Sequence, residues 1–266
     1  MAAGRGDGGR EDVLLIVQAD DLGMCHAVNA GVVRAFTEGI VTQASVMVPC
    51  PWFEEAAALA RDHGIPVGMH ETLTCEWDHL RWRPLTPAPS LRTDDGTFHR
   101  TLAAVRAHAT EEDATTELLA QAERFTGAGL RLDYLDVHMG MTVNAAYDAV
   151  AAAYGVSFLY EGVKASFAFT STRMMSERPS EAKRDWLLHR LDRIAAEPGI
   201  HLVGTHPATP SAELRAICKP DAHNAAWAEY YRASDLDLLC DPSIRARVDE
   251  LGIRLVSFAE AAGWRS

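Results

Sequence analysis

The sequence predicts a single α/β domain built as a distorted or incomplete (β/α) TIM-like barrel. Three observations predict it. Residues 13–18 (VLLIVQ) form a continuous apolar run, the mark of a strand buried on both faces. Short runs of this kind then alternate with segments of helical periodicity about seven times, with no Gly/Ser linker and no internal repeat. Finally, 266 residues is a length that α/β barrels fill as one unit. The expected organisation is a polar, Gly-rich leader over residues 1–12 and one domain over residues 13–266.

The first strand, 13–18, ends in Ala19-Asp20-Asp21-Leu22-Gly23. Polar residues at the C-terminal end of a buried strand are where α/β folds place their chemistry. Residues 27–38 read as a helix and 45–48 as the second strand. Pro51 opens a helix that runs to His63 and is stopped by Gly64. Residues 67–70 form a third strand, ending in His70. A long amphipathic helix over 111–128 carries Leu118, Leu119, Ala122 and Phe125 at helical spacing. A strand over 134–138 ends in His138, and a helix over 145–154 follows. Residues 180–196 are helical, and the strand 200–205 runs into His206. A helix over 242–251, a strand over 254–256 and a short terminal helix complete the chain. Two stretches break the rhythm: residues 74–100, with Trp77, Trp82 and the turn Asp94-Asp95-Gly96, and residues 174–184, with Pro179. Long irregular segments inside a compact domain are usually functional loops, so the first is expected to cover the site.

Composition narrows the function. Hydrophobic residues make up 48% and charged residues 23%, as in ordinary globular proteins. The formal charge of −12 argues against nucleic-acid binding, which needs clustered Lys and Arg. Five cysteines without a C-x-x-C pair read as a reducing cytosol rather than a disulfide framework. The leader has no apolar core and reads as neither signal peptide nor anchor, and no apolar run reaches membrane-spanning length. The protein is expected to be soluble and cytoplasmic, with a homodimer as the default assembly. A chain this long can bury a sufficient core, so any metal is expected to be catalytic rather than structural.

Asp20 and Asp21, His70, Asp136 with His138, and His206 all end predicted strands at one edge of the sheet. An Asp with two His is a common facial metal set that leaves positions open for water and substrate. The second carboxylate of the pair would be free to take a proton. Each residue alone has a plainer explanation: a helix cap for an Asp–Asp pair, a surface group for a loop histidine. His26, His63, His79, His99, His108, His189, His201 and His223 are read that way. Shared position at strand ends is what sets the others apart.

The run Ala19-Asp20-Asp21-Leu22-Gly23, followed by Val28-Asn29-Ala30-Gly31 and Gly39-Ile40-Val41-Thr42, resembles the opening signature of the YdjC/ChbG carbohydrate deacetylases. The likeness continues through Val67-Gly68-Met69-His70-Glu71-Thr72-Leu73-Thr74, Pro89-Ser90-Leu91, Asp95-Gly96-Thr97-Phe98, Asp136-Val137-His138, Thr205-His206-Pro207 and the C-terminal stretch from Gly252 to Phe258. The resemblance implies a distorted barrel that removes acetyl groups from N-acetylated amino sugars with one divalent metal ion. It implies Asp20 as base, Asp21, His70 and His138 as metal ligands, and His206 as acid. The chain departs from relatives at His138-Met139-Gly140-Met141-Thr142, where a His-x-His-x-His run is common, and at Phe158-Leu159-Tyr160-Glu161, where an Arg is common.

Zinc or magnesium is the favoured ion, and manganese and cobalt also suit the set. Thr74, Trp77, Trp82 and Asp136 are the expected substrate contacts, the tryptophans by offering an apolar face to a pyranose. The competing functions are a metal-dependent sugar isomerase or epimerase and a non-catalytic sugar-binding protein; acetate release separates deacetylation from both.

Overall fold

The computed structural model describes residues 12–159, 169–172 and 180–263. The expected leader lies outside them except for Asp12, whose carbonyl accepts the Gly199 N–H at 3.0 Å. Tyr160 and Glu161, and the first part of the stretch 174–184, also lie outside. The rest of that stretch is not an excursion, because a helix begins at Ser180.

The elements run β1 (Val13–Leu22), α1 (His26–Thr37), β2 (Gln43–Val46), α2 (Phe53–His63), β3 (Val67–Glu71), α3 (Leu102–His108), α4 (Glu111–Gly127), β4 (Leu135–Val137), α5 (Asn144–Tyr154), β5 (Phe169–Thr172), α6 (Ser180–Ala195), β6 (Gly199–Thr205), α7 (Ala212–Ala216), α8 (Ala225–Ala228), α9 (Tyr230–Leu239), α10 (Pro242–Glu250), β7 (Arg254–Leu255) and α11 (Phe258–Gly263). Every strand pairing is parallel, in the order β4-β3-β2-β1-β6-β5, with β7 against the start of β1. Beyond β4 a parallel bridge pairs Leu135 with Phe158, and among the described residues no pairing joins β4 to β5. Parallel strands bring all their C-terminal ends to one edge, which is why residues far apart in sequence meet.

Side chains alternate across a strand with period two. Leu14 and Ile16 of β1, Tyr134 beside β4, and Ile200 and Leu202 of β6 form the smaller apolar cluster, the inside of the barrel. Val13, Leu15 and Val17 join the larger core between sheet and helices. The same parity carries Gln18 and Asp20, Gly68 and His70, Asp136 and His138, and Gly204 and His206 onto the inner face. The inside therefore changes from apolar to polar toward the C-terminal edge. A buried chain of hydrogen bonds marks the change: Phe258 N–H donates to Gln43 at 2.6 Å, Gln43 to Gln18 at 2.7 Å, and Gln18 to Asp20 at 2.9 Å. Tyr134 reaches this layer because Gly68 leaves room; a Cβ there would stand 2.4 Å from its ring.

Candidate metal centre

Asp21 breaks the parity. In a regular strand it would face the helices, opposite to Asp20. The β1–β2 register slips between Ala19 and Leu22, and Asp21 takes a left-handed φ of 68°. A non-glycine residue in that region costs about 1–3 kcal/mol and survives only where the surroundings over-determine it. Here they do: Asp21 Oδ2 accepts from Arg232 Nη2 at 2.6 Å, and both groups are buried. The bulge turns two neighbouring carboxylates into one cavity.

Asp21 Oδ1 then lies 3.4 Å from His70 Nε2 and 3.3 Å from His138 Nδ1. It is buried and has no hydrogen-bond partner. Ligand atoms held about 2.0–2.1 Å from a tetrahedral ion stand roughly 3.3 Å apart, so the spacing fits one divalent ion. Each histidine keeps its other nitrogen on a carboxylate: His70 Nδ1 is 2.9 Å from Asp136 Oδ2, and His138 Nε2 is 3.1 Å from Glu76 Oε2. Such partners fix the tautomer and aim of a metal-binding imidazole. A second donor group, Asp20, His70 and Asp136, shares His70 with the first. Asp21, His70 and His138 make the better set, because Asp21 Oδ1 lies between two imidazole nitrogens, whereas Asp136 Oδ2, which also lacks a hydrogen-bond partner, faces only His70 Nδ1, and Asp20 Oδ1 is taken by Gln18 and Ser45.

Asp20 stands beside this set. Its Oδ1 accepts from Gln18 and from Ser45 Oγ at 2.8 Å, and its Oδ2 is 3.8 Å from His206 Nε2. Burial, reinforced by Asp136, pushes Asp20 up to about 7. Burial raises Asp21 too, but Arg232 and the two histidines outweigh it and hold the carboxyl well below its ordinary range. Burial disfavours charge on both histidines, yet Asp136 holds His70 well above its usual value, and Glu76 with Asp21 pushes His138 up to about 9. Burial wins at His206 and pushes it down to about 4. The His206 N–H donates to Asp235 Oδ2 at 2.9 Å, while Asp235 Oδ1 takes the buried Lys183 ammonium.

A cavity of ≈ 810 Å³ opens over the cluster. Asp20, Asp21, His70, Asp136, His138 and His206 all line it, as does Trp77. Thr74 and Trp82, two of the expected substrate contacts, are not among its lining residues: the Trp82 indole N–H donates to the Thr74 carbonyl at 2.8 Å and the ring packs edge-on against His138. Trp77 is 2% exposed, with the Arg232 guanidinium over its ring at 5.8 Å, and shows no open face for a pyranose. The cavity also takes in Glu76, Arg232 and His223. Sequence reading passed over the first two and gave His223 a surface role. Arg232 sits on α9, with Asp235 one turn further on. That polar pair at i, i+3 was its only signal.

Fold and site together define a parallel α/β protein whose strand ends gather a carboxylate–imidazole set fit for one divalent ion. The family model described as YdjC-like protein matches residues 14–250, and the chain belongs to that family. It is 31% identical over 267 aligned residues to a carbohydrate deacetylase of Geobacillus stearothermophilus, covering 92% of this chain and 96% of that protein. It is 28% identical to a chitooligosaccharide deacetylase of Yersinia enterocolitica, covering 93% and 98%. Among solved structures, an Enterococcus faecalis V583 protein superposes with a TM-score of 0.75 at 23% identity, covering 94% of this chain and 99% of the other. The peptidoglycan deacetylase PdaC from Bacillus subtilis shares the fold at a TM-score of 0.51 and 12% identity, covering 96% and 92%.

Proposed function

We propose that this protein is a carbohydrate deacetylase, hydrolysing the acetamide of an N-acetylated amino sugar or a sugar-containing metabolite. Asp21, His70 and His138 hold one divalent ion, Asp20 is the base and His206 the acid. The observation that carries the assignment is the orphaned Asp21 Oδ1 between two imidazoles, with a second carboxylate in the same cavity, in a family whose curated relatives are carbohydrate deacetylases.

A bound divalent ion would acidify a water and polarise the amide carbonyl. Asp20 takes the proton through Oδ2, since Oδ1 is held by Gln18 and Ser45. A carboxyl near neutrality is matched to that task. His206 is neutral at rest, so the proton it gives to the departing amine is acquired in the site, and Asp20 Oδ2 stands 3.8 Å away as a source. Arg232 holds Asp21 ionised, and Asp136 and Glu76 hold the two histidines in place. The donor set suits zinc, magnesium, manganese or cobalt.

Metal analysis joined to an acetate-release screen over N-acetylated sugars tests the assignment. Acetate release that depends on the metal and fails in His138→Ala is expected. A metal-loaded protein that isomerises or merely binds sugars, releasing no acetate, overturns it.

A further inference from the structure

Two lining residues of the cavity carry buried N–H donors with no partner: Trp77 through Nε1 and Arg232 through Nη1. Both side chains are 2% exposed. Buried donors are nearly always satisfied, so each of these needs an explanation. The guanidinium is planar and anchored twice, by Nη2 on Asp21 Oδ2 at 2.6 Å and by Nε on the Trp227 carbonyl at 3.0 Å. Its third corner is therefore fixed in place. The Trp77 ring lies against it at 5.8 Å, and Trp77 is held in turn between Glu76, which binds His138, and Asp78, which binds Arg100 and the Lys219 N–H. One preset donor, Arg232 Nη1, thus belongs to the guanidinium that holds the carboxylate whose other oxygen faces the metal set, and the Trp77 indole lies against that same guanidinium.

Resting on the deacetylase assignment above, we propose that Trp77 Nε1 and Arg232 Nη1 form a two-donor subsite for the acyl oxygen of the substrate's acetamide. As water adds to the carbonyl carbon, its electron pair makes the new C–O bond and the carbonyl π pair moves onto that oxygen. The pair returns when the C–N bond breaks and the amine leaves with a proton. Donors fixed beforehand where negative charge develops lower the barrier without reorganising. A sugar hydroxyl fits the pair less well, because it must also place its own proton, and the acceptors nearest the pair, Asp21 Oδ2 and the Trp227 carbonyl, are already taken by Arg232. Trp77 then acts through its indole N–H rather than as a stacking platform.

Trp77→Phe removes the donor and keeps a ring. In zinc-loaded protein we expect it to retain the metal and to lower kcat by about 10- to 10³-fold with KM little changed. Arg232→Lys, which keeps a cation beside Asp21, should do the same. A readout apart from turnover is the indole ¹⁵N–¹H spectrum of the six tryptophans. Acetate, the product that retains the acyl oxygen, should move one signal downfield, and that signal should be the one missing in Trp77→Phe. A raised KM with unchanged kcat, or a Trp77 signal indifferent to saturating acetate, overturns the donor pair alone. A wild-type protein that releases no acetate from any N-acetyl sugar overturns the deacetylase assignment and the subsite with it.

Discussion

At the scale of single residues, the site works by giving like groups unlike surroundings. Asp20 and Asp21 are neighbours in sequence, yet one is pushed up to about 7 by burial and the other is held far down by Arg232. In the proposed mechanism that separation leaves one carboxylate to bind the ion and the other to move a proton. Asp20→Asn is therefore expected to keep its metal and lose activity by roughly 10²–10⁴-fold. Simultaneous loss of metal would place Asp20 among the ligands. The histidines carry a pH dependence. Without metal, Glu76 and Asp21 keep His138 protonated up to about pH 9, and His70 is raised as well. Ligation requires neutral imidazoles, so binding must expel these protons. Metal affinity should accordingly rise with pH through the range up to about 9 in which His138 sheds its proton; chelator competition at several pH values measures it, and a flat profile would show the nitrogens to be free of protons. Asp20, Asp21, His70, His138 and His206 were legible in the sequence because each ends an apolar run.

The elements differ in how openly they announce themselves. β1, α4 and β6 are plain in the sequence, because an apolar run or stripe leads directly to burial. α9 (YYRASDLDLL) is not. Its buried residues include Arg232, Ser234 and Asp235, so hydrophobic periodicity is lost where the helix faces the site. Its buried charges find partners only in three dimensions: Arg232 at Asp21, 211 positions away, and Asp235 at Lys183, 52 positions away. Lys183→Met should destabilise the fold by about 3–5 kcal/mol, since it strands Asp235 without a counter-charge. Lys183→Met combined with Asp235→Asn should cost less than the single change, because Asn still accepts the His206 N–H. Urea denaturation of the two variants decides it, and equal losses would reduce the ammonium to a space-filling role.

For the whole molecule, an all-parallel sheet with apolar layers on both sides of β1 means that folding does not wait on the ion. Removing the metal is expected to leave a cooperatively folded protein. Ligand held at about 100 times its Kd adds roughly 2.7 kcal/mol, and for a domain near this size each kcal/mol moves Tm by about 2–4 °C. Chelation should thus lower Tm by roughly 5–11 °C without changing the far-ultraviolet circular dichroism. Collapse of that signal on chelation would make the ion structural. No helix among the described residues is long and apolar enough to cross a membrane.

By itself, the sequence determined the α/β class, the edge of the sheet where the chemistry gathers, and the family. The first two depend on local periodicity and on what ends each apolar run, the family on short motifs in order along the chain, and all of these are written in consecutive residues. The tertiary structure alone decided that Asp21 turns inward at a bulge, that Glu76 and Arg232 complete the centre, and that Trp82 packs against His138 while Trp77 reaches the cavity. The physical reason is the same for all of these. A strand's parity tells which way a side chain points only while the register holds, and a buried charge or an indole N–H takes its role from a partner that the chain brings near only by folding.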